Sequence, residues 1–136
     1  MTAAAQDTQP AGSAIAILLI EDNDANRDML ARRLEKRGYR VLTAATGAQG
    51  FALALTSRPD LILMDVRLPD RCGLELSRAL KNDPTTRAIP IIALSANAQL
   101  SDRATALSAG CDDYEPKPIN LPTLLQKMQS ALQKTC

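Results

Sequence analysis

The chain has 136 residues and a mass of 14.6 kDa, the size of one domain with a sizeable core. Sixteen basic and fifteen acidic side chains leave a net charge of +1, so charge alone favours neither nucleic acid nor an anionic membrane as a partner. Aromatic residues make up only 2% and histidine is absent, which disfavours base stacking and excludes Ser-His-Asp hydrolysis, Cys-His proteolysis, His-ligated zinc and proximal-His haem.

Residues 1–13 are rich in Ala, Gln, Thr, Gly and Pro and lack the basic and long apolar segments of a signal peptide. We therefore expect a disordered leader there and a folded domain over residues 14–136. No apolar run approaches the ~18 residues that a membrane span needs. The three cysteines lack CxxC spacing, which predicts packing roles for Cys72 and Cys111 and a cytoplasmic protein.

The first predicted unit is an apolar strand over residues 15–20 followed by a helix. Asn23 or Asp24 is expected to cap the start of this helix, and Gly38 its end. Its apolar stripe is predicted from three residues at helical spacing: Met29, Leu30 and Leu34.

A second strand is predicted over residues 40–45, and a second helix after Thr46-Gly47. This helix is expected to end before Pro59 and to carry three apolar residues on one side: Phe51, Ala52 and Leu55.

The third and fourth strands, residues 61–64 and 89–94, are continuously apolar, which is typical of strands buried on both faces of a parallel sheet. A third helix between them is predicted to stop at Asn82-Asp83-Pro84 and to bury three leucines: Leu74, Leu76 and Leu80. The fourth helix is expected over residues 99–109, closed by Gly110.

A short fifth strand is predicted near Tyr114, and a fifth helix over residues 121–132 with an apolar stripe of Leu124, Leu125, Met128 and Leu132. Five strand-helix units joined by right-handed crossovers predict an α/β fold: a doubly wound, flavodoxin-like, five-stranded parallel sheet in the order 2-1-3-4-5.

In a sheet of this order, ligands bind beyond the carboxyl ends of the strands, at the switch point between strands 1 and 3. Strands 1, 3, 4 and 5 end in, or are followed by, polar side chains suited to phosphate chemistry: Glu21, Asp22, Asn23, Asp65, Ser95 and Lys117.

Four segments at these strand ends resemble the receiver domain of two-component response regulators, and the resemblance covers residues 15–132. The segments are Leu19-Ile20-Glu21-Asp22-Asn23, residues 60–69 with Gly73 after them, Leu94-Ser95-Ala96, and residues 110–118. The resemblance implies a single-domain, chemotaxis-regulator-like signalling switch that is phosphorylated on an aspartate and is not an enzyme acting on other substrates.

The chemistry of the residues agrees with that resemblance. Asp65 is the predicted nucleophile, because the apolar run before it buries its backbone and leaves its carboxylate at the sheet edge. A carboxylate and a phosphoryl group are both anionic, so a divalent cation is needed. Asp22 and Asp65 as direct ligands, Glu21 through water and the backbone carbonyl of Arg67 form the predicted Mg²⁺ site. Lys117 is predicted to stabilise the phosphoryl oxygens.

Further roles follow from the resemblance alone. It implies that the Ser95 hydroxyl moves to the phosphoryl group while Tyr114 turns inward, and that the Lys117-Pro118 peptide is cis. It also implies that Arg67 and Asn97 overlook the phosphoryl group and tune the lifetime of the phosphorylated state.

Because the sequence contains no histidine, the donor is expected to be a histidine kinase or a histidine phosphotransfer protein acting in trans. Output is expected through a protein bound to the face of the fourth helix, fifth strand and fifth helix, or through onward transfer of the phosphoryl group, without direct nucleic-acid binding. The starting Met1 and the leader favour a free-standing protein; a receiver excised from a hybrid kinase is the alternative.

Other interpretations are weaker. A haloacid-dehalogenase-type phosphatase needs a second Asp where Arg67 stands, and a flavin carrier needs a phosphate-binding loop where the acidic residues would repel it. A pseudo-receiver that is never phosphorylated is disfavoured because the metal, nucleophile and lysine positions are filled. For single residues, the acidic pair could merely cap a helix and Lys117 could be a solvated cation, whereas Pro69 and Asp70 already supply the turn that Asp65 would otherwise make.

Overall fold

The computed structural model describes residues 14–96 and 100–133, and the side chains of residues 14–96 and 104–133. The predicted leader therefore lies outside the described residues, as does Cys136. Five strands alternate with five helices, which confirms the predicted α/β fold. The elements are β1 Ala16–Ile20, α1 Asp24–Lys36, β2 Arg40–Ala44, α2 Gly47–Ser57, β3 Leu61–Asp65, α3 Gly73–Asn82, β4 Ile91–Ser95, α4 Leu100–Ser108, β5 Asp113–Pro116 and α5 Leu121–Gln133.

The strands form one parallel sheet in the order β2-β1-β3-β4-β5, as predicted. β1 is an interior strand that pairs with a neighbour on each side, and its Leu18 lies opposite Leu42 of β2 and Ile62 of β3. Since all strands run in one direction, every carboxyl end lies at the same edge of the sheet. None of the described helices is long and apolar enough to cross a membrane.

Both faces of the sheet are buried. Along β1, Leu18 and Ile20 face a core cluster that includes residues of α2, α3 and α4, whereas Ile17 and Leu19 face a second cluster with residues of α1 and α5. β1, β3 and β4 are buried along their whole length, which explains their continuously apolar sequences.

Helix α1 has the ends that its sequence predicts. Asn23 is the N-cap, and its side-chain oxygen accepts a hydrogen bond of 2.9 Å from the amide of Asn26. At the other end, the amides of Gly38 and Tyr39 donate to carbonyls of the last turn, and Gly38 takes a φ of +94°. This left-handed backbone is why a glycine ends the helix.

The predicted apolar stripe of α1 is corrected at one position. The buried residues are Leu30, Ala31 and Leu34, whereas Met29 is 48% exposed. Residues on a helix are spaced by about 100°, so a stripe centred on these three positions leaves Met29 on its flank.

The prediction for α2 is wrong in a similar way, because Ala52 is exposed. Gly47, Gly50 and Ala54 form the buried face instead. A Cβ atom on Gly50 would lie 2.4 Å from Cδ1 of Ile20, so small residues let the helix approach β1 closely.

The two cysteines within the described residues differ. Cys111 is buried, as a packing role requires, and its thiol lies 3.4 Å from the Ser77 hydroxyl. Burial raises the pKa of this thiol. Cys72 is exposed, so the predicted packing role is wrong for this residue, which precedes α3 in a surface loop.

Candidate functional site

Three carboxylates meet at the carboxyl edge of the sheet. Glu21 follows β1 and stays attached to the sheet through its amide, which donates to the carbonyl of Ala44 at 3.0 Å. Asp65 is the last residue of β3, and both side chains are buried, whereas Asp22 is exposed. One carboxylate oxygen from each of the three lies within 4.8 Å of the others. The structure thus brings together the acidic residues that the sequence placed in one metal site.

Lys117 reaches this group from the segment after β5. Its ammonium donates to Oε1 of Glu21 at 2.7 Å and to Oδ2 of Asp65 at 2.9 Å, although Glu21 lies 96 residues away. Its amide donates to the carbonyl of Ser95 at 2.7 Å, which ties the end of β5 to that of β4. The peptide bond before Pro118 is cis, as the resemblance implied.

The charges of the site influence each other's protonation. Burial raises the pKa of Glu21 above its ordinary value, and the hydrogen bond from Lys117 only partly offsets this effect. Burial alone would lower the pKa of Lys117, but its hydrogen bonds to Glu21 and Asp65 prevail, and the pKa is raised. Lys117 is therefore held as a cation between two carboxylates.

Six of the predicted site residues border one cleft of about 530 Å³: Glu21, Asp22, Asp65, Arg67, Ser95 and Lys117. Oδ1 of Asp65 accepts a hydrogen bond of 3.0 Å from the amide of Arg67, whose side chain is exposed at the rim. Ser95 is buried at the end of β4 and lines the same cleft. Asn97 lies outside the described residues, so its predicted position near the phosphoryl group stays a prediction.

Tyr114 is packed inside the molecule, with only 5% of its surface exposed. It lies opposite Ala93 in the sheet and belongs to the cluster covered by α2, α3 and α4. Its buried hydroxyl finds no hydrogen-bond partner within the described part of the chain. The ring is thus inward, the position that the resemblance associates with the active state.

Two residues that the sequence analysis did not assign to the site hold the segments around it. Arg27 of α1 donates through Nη1 to the carbonyl of Glu21 at 2.9 Å and pairs with Asp24 at 2.5 Å. Asp70, in the loop after β3, accepts from the amides of Gly47 and Ala48. Arg27 follows Glu21 by six residues, a closeness in sequence that could have indicated its role, whereas no local signal links Asp70 to α2.

The donor set suits a hard divalent cation. All three side-chain ligands offer carboxylate oxygens, one of them from an exposed residue, and Lys117 contacts two of them, Glu21 and Asp65. Mg²⁺ favours oxygen ligands, binds through few carboxylates and retains several waters, for which the open cleft leaves room. The residues present therefore fit a Mg²⁺ site.

Comparison with known proteins agrees with this geometry. A family model described as the response regulator receiver domain matches residues 17–129. The polar-differentiation response regulator DivK of Brucella anthropi is 37% identical over 117 residues, which cover 86% of this chain and 95% of that protein. DivK of Brucella ovis is 36% identical over the same length.

Solved structures show the same fold. The receiver domain of a sensor histidine kinase from Pseudomonas aeruginosa, with a magnesium ion coordinated in its active-site cleft, is 39% identical and superposes with a TM-score of 0.82. That comparison covers 89% of this chain and 99% of the other. The chemotaxis response regulator CheY4 of Vibrio cholerae is 28% identical, with a TM-score of 0.82 over 88% of this chain and 99% of the other.

Proposed function

The chain belongs to the response regulator receiver family, whose members are phosphorylation-dependent signalling switches, and we propose that Asp65 is its phosphoacceptor. The supporting observation is the position of the Asp65 carboxylate, at the end of β3, beside two further acids and within 2.9 Å of the Lys117 ammonium. Residues 14–136 would form the receiver domain, with residues 1–13 as its leader, working in the cytoplasm.

The proposed reaction is a phosphoryl transfer from a phosphohistidine. A carboxylate oxygen of Asp65 attacks phosphorus in line with the departing imidazole nitrogen, so one O–P bond forms and one N–P bond breaks. The electron pair of the broken bond remains on the imidazole nitrogen, and because the other ring nitrogen of the phosphohistidine carries a proton, the ring leaves as neutral imidazole. The protein catalyses only its own phosphorylation and, by admitting water, its own dephosphorylation.

Glu21, Asp22, Asp65 and the backbone carbonyl of Arg67 would hold Mg²⁺, with Glu21 acting through water. When bound, the ion offsets the negative charge that gathers as the phosphoryl group approaches these carboxylates. The chain's own contribution is the arrangement of the acids and the fixed Lys117 ammonium, which can exchange a carboxylate oxygen for a phosphoryl oxygen.

The conformational switch is proposed to run through Ser95 and Tyr114. Ser95 lines the cleft, and its carbonyl accepts a hydrogen bond from the amide of Lys117, the residue after β5. A shift of Ser95 toward the phosphoryl group would therefore act directly on the end of β5. Phosphorylation would draw the Ser95 hydroxyl toward the new group and favour the inward Tyr114 that the structure shows.

The partners follow from the family. A histidine kinase or histidine phosphotransfer protein would donate the phosphoryl group in trans, since these 136 residues contain no histidine. The output protein is proposed to bind the face of α4, β5 and α5, which carries the exposed Leu107 and lies beside Tyr114.

Arg67 is proposed to lengthen the phosphorylated state, since its exposed side chain borders the cleft and could shield the phosphoryl group from water. Faster loss of phosphate from Arg67→Ala in excess Mg²⁺ would support this role, and an unchanged rate would remove it. Asn97 is proposed to act in the same direction, because its side chain lacks a carboxylate that would orient the attacking water.

Asp65→Asn tests the central proposal. The parent should incorporate about one phosphate from a small phosphodonor in Mg²⁺, whereas Asp65→Asn should incorporate none, because an amide is a poor nucleophile. Asp28→Asn, which removes an exposed carboxylate of α1, is the control and should be labelled like the parent. Labelling of Asp65→Asn equal to that of the control would refute the assignment.

A further inference from the structure

The loop between β3 and α3 is attached to the start of α2 by one side chain. Asp70 accepts a hydrogen bond of 2.8 Å from the amide of Gly47 on Oδ1 and one of 2.9 Å from the amide of Ala48 on Oδ2. Asp70 lies 23 residues after Gly47 and 22 residues after Ala48 in the sequence. These two bonds lower the pKa of Asp70, so the carboxylate is charged at neutral pH and also suits the positive end of the helix.

Helix α2 already has its own cap. The Thr46 hydroxyl accepts from the amide of Gln49 at 3.1 Å, the Gln49 side chain accepts from the amide of Ala45 at 3.0 Å, and the Thr46 carbonyl accepts from Gly50. The two remaining amides of the first turn, which such a cap leaves unpaired, are the ones that Asp70 satisfies. A distant loop thus completes the end of the helix.

The loop itself is closed at its base. The amide of Gly73 donates to the carbonyl of Val66 at 2.7 Å, and Arg67 and Cys72 form an antiparallel bridge. The tip is held from outside by Asp70 and by close contact with α2, where a Cβ atom on Gly47 would lie 2.7 Å from Cγ of Arg71.

Helix α2 is in turn fixed against β1. Gly50 approaches Ile20 so closely that any side chain there would overlap it, and Ile20 directly precedes Glu21. Asp70 therefore connects the loop that carries Arg67 to the strand that carries the first acidic ligands, with α2 as the rigid link.

We propose that Asp70 is a positioning residue for the metal site: through α2 it holds the Arg67 loop at a fixed distance from Glu21 and Asp22. This role rests on the proposed function, because Arg67 contributes to the site through its backbone carbonyl. Losing the tether leaves every carboxylate ligand in place but lets the loop move, so Mg²⁺ binds less tightly.

Calorimetric titration of the unphosphorylated protein with Mg²⁺ tests this role, with Asp70→Ala compared with Thr46→Ala. Thr46→Ala removes a cap of the same helix without touching the loop. Asp70→Ala should weaken Mg²⁺ binding roughly three- to tenfold, at or below the lower end of the range for residues that directly support a metal ligand. Thr46→Ala should stay within about twofold, and Asp70→Asn, which keeps one acceptor oxygen, should lie between.

Amide hydrogen exchange of the metal-free protein provides a second measurement. Gly47 and Ala48 should exchange faster in Asp70→Ala, and in the parent Mg²⁺ should slow both amides, because coupling between two sites is reciprocal. Equal loss of Mg²⁺ affinity in Asp70→Ala and Thr46→Ala, or faster exchange with unchanged affinity, would reduce Asp70 to a helix cap and overturn the proposal.

The outcome is separable from the test of Asp65. Labelling of Asp65→Asn would refute the phosphoacceptor without affecting Mg²⁺ titrations of the Asp70 variants. A parent that binds no Mg²⁺ would refute the metal site, and the positioning role with it, even if Asp65 is phosphorylated.

Discussion

Two of the loops that border the site, those after β1 and β3, are held in different ways. The loop after β1 is short and is held partly by its own neighbours: Glu21 accepts from the amide of Asn23 at 3.1 Å, and Arg27 donates to the carbonyl of Glu21. These two supports lie within six residues of Glu21 in the sequence, and they add to the bonds of Glu21 with Ala44 and Lys117.

The loop after β3 is longer and depends on distant groups. Gly73 closes its base, and Asp70 ties its tip to α2, more than twenty residues earlier. The comparison shows that a short ligand loop can be ordered by the helix that follows it. A longer loop needs a part of the structure already fixed by the sheet.

The largest effect is expected from Gly73→Ala, which attacks the base of the longer loop. A Cβ atom there would lie 2.4 Å from the carbonyl oxygen of Asp65 and 2.9 Å from Cα of Val66, and neither backbone atom can rotate away. We expect a loss of about 3 kcal/mol in unfolding free energy, at the upper end for overpacking, together with loss of Mg²⁺ binding.

Gly38→Ala is the control for that substitution. Gly38 has a φ of +94° but no other atom within 4 Å of its Cβ position, so only the backbone conformation opposes the new side chain. Urea unfolding should show a cost of about 1 kcal/mol with normal Mg²⁺ binding. Equal midpoints for the two variants would show that the loop base can move aside.

Arg27→Ala should have an intermediate effect, because it removes the clamp of the shorter loop. The side chain is 21% exposed, and its hydrogen bonds to a carbonyl and to Asp24 should contribute about 1–2 kcal/mol to stability. Mg²⁺ affinity should fall several-fold, since the backbone between Glu21 and Asp22 is no longer held.

Arg32→Ala is matched to it on the same helix. Arg32 pairs with Asp28 at 3.1 Å, but both side chains are mostly exposed, so its removal should cost below about 0.5 kcal/mol and leave Mg²⁺ binding unchanged. If both variants gave the same urea midpoint and Mg²⁺ affinity, Arg27 would be an ordinary surface cation.

The smallest effect is expected from Glu21→Gln in metal-free buffer. The fold raises the pKa of Glu21, so the folded state binds its proton more tightly than the unfolded chain does. Glu21 thus contributes stability below its ordinary pKa of 4.5, and this contribution is lost as pH rises through the higher folded value. In urea unfolding at a series of pH values, the midpoint of the parent should therefore include a decline as pH rises, and Glu21→Gln should lack this decline.

Asp22→Asn, which changes an exposed carboxylate in the same loop, should retain the decline. Saturating Mg²⁺ should make the parent more stable than Glu21→Gln, because only the parent keeps the Glu21 carboxylate that helps to hold the ion. A pH profile of Glu21→Gln that parallels the parent would assign the decline to another group.

Much of the fold could be predicted because the decisive features are local or follow from chain direction. Continuous apolar runs identified β3 and β4 as strands buried on both faces, and parallel strands necessarily bring their carboxyl ends to one edge. That rule predicts Glu21, Asp22, Asp65 and Lys117 in one site, and the structure brings them together.

The sequence by itself thus determined the order of the strands, the acidic cluster at their carboxyl edge and the caps of α1. Only the tertiary structure decided that Met29 is exposed, that Tyr114 is inward, that Lys117 bridges two carboxylates and that Asp70 completes α2. The physical reason is the separation along the sequence over which each interaction acts. Hydrophobic period and capping act within a few residues, whereas each of these outcomes depends on contacts between segments that meet only after the sheet has formed.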